Sequence, residues 1–82
     1  MLPYLLLQSR RKLRVRKGEN ISVRSEGGRS VNCPLVDIDY RDNKIWVRLP
    51  TNDVLEMDWN PKRKLYIARL ARLEFTVNPE AT

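Results

Sequence analysis

Few residues in this chain could do chemistry, and their types decide more than their spacing. Histidine is absent and Cys33 is the only cysteine. The usual general base for a serine or cysteine nucleophile is therefore missing. One thiol cannot assemble a tetrahedral zinc site either. Cys33, followed by Pro34, reads as a small buried side chain. Glu26-Gly27-Gly28-Arg29 has neither the spacing nor the Lys-Ser/Thr ending of a phosphate-binding loop. Asp37, Asp39 and Asp42 have the density of a calcium loop but lack its glycine and closing glutamate. Arg41, Lys44 and Arg48 lie close enough in sequence to neutralise them. The expectation is a non-enzymatic chain with no cofactor and no metal.

Cations remain as the chemical feature. Arg10, Arg11, Lys12, Arg14, Arg16 and Lys17 form one run, and Lys62, Arg63 and Lys64 form a second, with Arg69 and Arg72 beyond it. The net charge of +6 is uneven: residues 1–32 carry +6, residues 33–58 carry −3 and residues 59–82 carry +3. Basic ends around an acidic centre point to an anionic partner. The first expectation is nucleic-acid binding through a Lys/Arg stripe, with the two runs on phosphates. Trp46, beside Arg48, or Tyr66 would stack on bases. The alternative is a protein-interaction or self-assembly module. In it the acidic centre of one copy, or another acidic protein surface, meets the basic ends, and Leu5-Leu6-Leu7 add contact area.

These side chains must be carried by short strands. Turn signals recur at Lys17–Asn20, Glu26–Arg29, Arg41–Asn43, Pro50–Asp53 and Asn60-Pro61, with β-branched and aromatic runs between them. Lys12–Arg16 alternates strictly, which predicts a strand with Leu13 and Val15 inward; Ile21 and Val23 continue the pattern. Leu35–Tyr40 and Lys44–Leu49 predict a hairpin. Its core face is Val36, Ile38 and Tyr40 against Ile45, Val47 and Leu49, and Asp37 and Asp39 fall near Lys44, Trp46 and Arg48. Trp46 points outward in this reading. Val54–Trp59 alternates as a further strand. Residues 61–74 are ambiguous: Asn60-Pro61 and the Ala/Arg/Leu composition suit a helix, whereas Leu65, Ile67, Leu73, Phe75 and Val77 alternate as strand. The strand reading is preferred, because a barrel needs closure.

The resulting fold class is mainly β: one domain over residues 1–82, an antiparallel barrel or sandwich of SH3-like or split-barrel type. Residues 1–9 form an apolar N-terminal segment and residues 79–82 a tail. So short a chain buries only about 60% of its unfolded surface, so a homo-oligomer is the open route to added stability. The apolar start lacks a basic flank and a cleavage site and is too short to span a bilayer. With the lone cysteine, this predicts a cytoplasmic protein without a membrane span. Val36–Asp39 with Ile45–Pro50 resembles small split β-barrels such as the PilZ-associated domains of flagellar-brake proteins. Arg10 and Arg14 have the Arg-x3-Arg spacing that PilZ domains use for cyclic di-GMP. The partner element is broken, with Ser25 after Asn20-Ile21-Ser22 where glycine is required, so that ligand is not carried over.

Overall fold

The computed structural model describes residues 11–81. Six antiparallel strands follow one another: β1 (Asn20–Ser25), β2 (Ser30–Asp39), β3 (Lys44–Arg48), β4 (Val54–Asn60), β5 (Leu65–Leu70) and β6 (Leu73–Val77). A single 3₁₀ turn, Pro79–Ala81, closes the described chain. Each strand pairs with the next, and β6 returns to β1 through Arg24↔Thr76 and Ser25↔Phe75. The result is a closed up-and-down barrel, sealed between β1 and β6 by two residue pairs.

Alternation explains the core. Ile21 and Val23, Cys33 and Leu35, Ile45 and Val47, Leu55 and Met57, Tyr66 and Ala68, and Val77 all face inward and are buried. Two phases differ from the sequence expectation. A β-bulge sets Leu35 opposite Val47 but Asp37 opposite Trp46, which makes Val36 the extra residue. Leu35 therefore takes the core position expected of Val36, and Ile38 returns to the core side opposite Ile45. In β5, Tyr66 and Ala68 face inward, not Leu65 and Ile67.

No helix forms within residues 61–74. Asn60 does cap a turn, its Oδ1 accepting from the Lys62 and Arg63 amides. That turn ends at once: Lys64 adopts φ 57° and its N–H bonds back to the Asn60 carbonyl at 2.8 Å. Leu65 then enters β5. Ala71, at φ 58°, makes the next reversal between Leu70 and Leu73.

The basic run Lys12–Arg16 is likewise not a strand. β1 and β6 close the barrel on each other, and the segment joins neither. The segment crosses one barrel end instead, packing Leu13 and Val15 against the core while Lys12, Arg14 and Arg16 stay exposed. Two tyrosines hold it there. The buried Tyr66 hydroxyl donates to the Arg11 carbonyl at 2.6 Å, and the Tyr40 hydroxyl accepts from the Leu13 amide at 2.8 Å. The Arg11 guanidinium donates to the Tyr40 carbonyl and to Asn43 Oδ1. Gly18, at φ 95°, donates to the Leu35 carbonyl and so leads the chain into β1.

Burial raises the Tyr66 phenol above its ordinary pKa, with Tyr40 adding to this and Arg11 opposing it. The fold therefore favours the neutral phenol. Stability from this group is complete below the unfolded pKa of about 10 and falls as pH rises above it. Tyr66→Phe leaves the Arg11 carbonyl without its donor. In urea titrations it should cost about 1 kcal/mol at neutral pH. It should also lose less stability than the wild type above about pH 10; matching alkaline profiles would count against this role.

Candidate nucleic-acid interface

An up-and-down barrel sends alternate hairpin turns to the same end. The β2–β3 turn (residues 40–43) and the β4–β5 turn (residues 61–64) therefore share an end with the entry to β1, which the 11–19 segment covers. This arrangement brings the two basic runs together. Lys12, Arg14 and Arg16 lie on the covering segment, and Lys62, Arg63 and Lys64 on the β4–β5 turn. Arg41, on the β2–β3 turn, joins them, where the sequence suggested only a neutraliser of the neighbouring aspartates. Tyr66 is the physical link: it opens β5 just after the second run and bonds to the backbone at the head of the first.

Lys12, Arg14, Arg16, Arg41, Lys62 and Lys64 make no ion pair among the described residues. The other cations at this end are partly engaged. Arg11 spends its guanidinium on the β2–β3 turn. Lys17 lies 3.6 Å from Asp37, both well exposed. Arg63 donates to Glu74 at 3.0 Å. Arg10 lies outside the described residues, as do Leu5, Leu6 and Leu7.

Trp46 and Arg48 stand elsewhere, on the outer face of β3. Along the strand Trp46 lies between Lys44 and Arg48, but its cross-strand neighbours are Asp37 and Glu56. In the next row Lys44 lies between Asp39 and Asp58. Its ammonium bonds Asp58 at 2.6 Å and Glu56 at 3.0 Å, and both bonds hold its pKa above the ordinary lysine value. The expected register of the aspartates is thus realised, whereas the ion pairs of Lys44 go to β4. Arg48 bonds the Asn52 carbonyl and side chain within its own turn. Trp46 is only partly exposed and sits in an acidic setting, which repels a phosphate chain. Tyr66 is fully buried, its ring 5.1 Å from that of Trp59, and cannot stack on a base.

Chemistry beyond charge is sparse here. Cys33 is buried and its thiol pKa is raised by desolvation, which disfavours the thiolate. No cluster of three or more His, Cys, Asp or Glu side chains suited to a metal occurs among the described residues. No helix among them is long and apolar enough to cross a membrane. At the opposite end Val31, Val54, Leu70 and Leu73 are exposed, beside the charged turn residues Glu26, Arg29, Asp53 and Arg72. An opening of about 200 Å³ there reaches Cys33 and Phe75. No family model matches the chain, and neither do any curated protein or solved structure searched.

Proposed function

We propose that this barrel is a non-catalytic, cytoplasmic nucleic-acid-binding module whose covered end contacts the phosphate backbone. One observation carries the reading: two basic runs distant in sequence share one barrel end, and six cations there make no ion pair among the described residues. Such cations can each replace condensed counterions on a polyanion. Among the described aromatic side chains Tyr66 is fully buried, Tyr40, Trp59 and Phe75 are at least partly buried, and Trp46 stands between Asp37 and Glu56, so backbone contact outweighs base stacking. Little sequence preference is expected.

Four to six such contacts predict a log K against log salt slope of about −4 to −5 on duplex DNA. Fluorescence anisotropy on random oligonucleotides measures it. Lys62→Gln with Lys64→Gln should reduce the slope by about 2. Absence of binding near 50 mM salt, where backbone contacts are strongest, would rule the function out.

A second reading has its own support in the acidic face around Trp46. That face complements the basic end of another copy, and a contact between unlike surfaces builds rings or filaments rather than two-fold dimers. Light scattering should then show mass rising with concentration at low salt and falling to the monomer at high salt. A monomer throughout would remove self-assembly.

A further inference from the structure

Arg24 belongs to neither basic run and stands on the outer face of β1. Its guanidinium makes no ion pair or hydrogen bond to any described side chain. Across the two flanking ladders its direct partners are Ser30 on β2 and Thr76 on β6. With Ser22, Arg63 and Leu65 these residues line a surface groove of about 290 Å³. Arg63 belongs to the β4–β5 turn, so the groove opens from the basic end and runs down the barrel wall.

The lining has a definite chemistry. Two guanidiniums and three hydroxyls line the groove, and none of the described carboxylates does. Glu74 takes one Arg63 nitrogen at 3.0 Å and lies 3.7 Å from Arg69. A guanidinium has five N–H donors, so Arg63 retains donors for a ligand. Arginine forks match the paired oxygens of a phosphate, and hydroxyls rotate to suit either partner. Leu65 gives one apolar wall against which a sugar can lie.

The geometry points to a phosphate-binding groove on β1 and β6, in which Arg24 and Arg63 clamp the anion and Ser22, Ser30 and Thr76 orient it. A phosphodiester of a nucleic-acid strand and a free phosphate group share this chemistry. The first source rests on the proposed nucleic-acid function; the second does not.

Amide NMR on the full chain, titrated separately with inorganic phosphate and a short single-stranded oligonucleotide, tests the groove. Both titrants should shift the amides of Arg24 and Thr76. Arg24 is exposed, so Arg24→Gln should fold normally, lose the phosphate response and bind the oligonucleotide about fivefold more weakly. Its salt slope should fall by about 1. Phosphate shifts at the groove without oligonucleotide binding would support the groove with a free phosphate and remove the nucleic-acid reading. Oligonucleotide binding that leaves Arg24 and Thr76 unshifted, with an unchanged slope in Arg24→Gln, would overturn the groove while the basic end stands. Silence with both titrants would overturn both.

Discussion

The Tyr66 hydroxyl poses the problem around which this small barrel is organised. An apolar interior offers a phenol no acceptor, and an unpaired buried hydroxyl costs on the order of 1–3 kcal/mol. The chain answers with the Arg11 carbonyl, 2.6 Å away and fifty-five residues earlier in sequence. Accepting that bond draws the 11–19 segment across the barrel end. Once there, Leu13 and Val15 cover apolar surface that the end would otherwise expose. Tyr40 and Asn43 then fix the segment from the other side, through the Leu13 amide and the Arg11 guanidinium. A basic peptide that would be a solvated tail becomes a fixed surface.

Charge separation follows from this. The covered end gathers cations from three separate stretches of chain, whereas β2, β3 and β4 turn Asp37, Asp39, Glu56 and Asp58 outward around Trp46 and Lys44. The opposite end mixes exposed Val31, Val54, Leu70 and Leu73 with charges of both signs. A domain with too small a core for a deep cavity can still present three chemically distinct faces, because a closed barrel leaves ends and walls independent. Cys33 is accounted for by packing, Asp37 and Asp58 by lysine pairing, and Asp39 and Asp53 by hydrogen bonds within their turns, so charge is what remains for function.

Much of the fold was legible in the letters. The turns at Gly27-Gly28 and Asn43 announce themselves with residues that accept a left-handed backbone. Ile45, Val47, Leu55 and Met57 alternate cleanly into the core, and Trp46 faces out as expected. The failures have physical causes. Ala71 carries a left-handed turn without glycine, asparagine or proline, so residues 61–74 looked continuous and allowed a helix. The bulge at Val36 shifts the face of half a strand, and no period-two pattern foresees it. Lys12–Arg16 alternates like a strand because an end-crossing segment also needs inward and outward residues. The basic runs were visible and a single Lys/Arg stripe was expected of them, but its place at one barrel end was not. That place depends on Tyr66, which the alternation of Leu65 and Ile67 set facing outward.

Amide hydrogen exchange at Leu13 tests this account most directly, since its N–H donates to the Tyr40 hydroxyl only while the segment covers the barrel end. The account predicts that Leu13 is protected well above the unfolded rate, and that Tyr66→Phe erases much of that protection while Ile45 and Val47 in the barrel wall keep theirs. Leu13 exchanging at the unfolded rate in the wild type, beside a protected barrel, would contradict it.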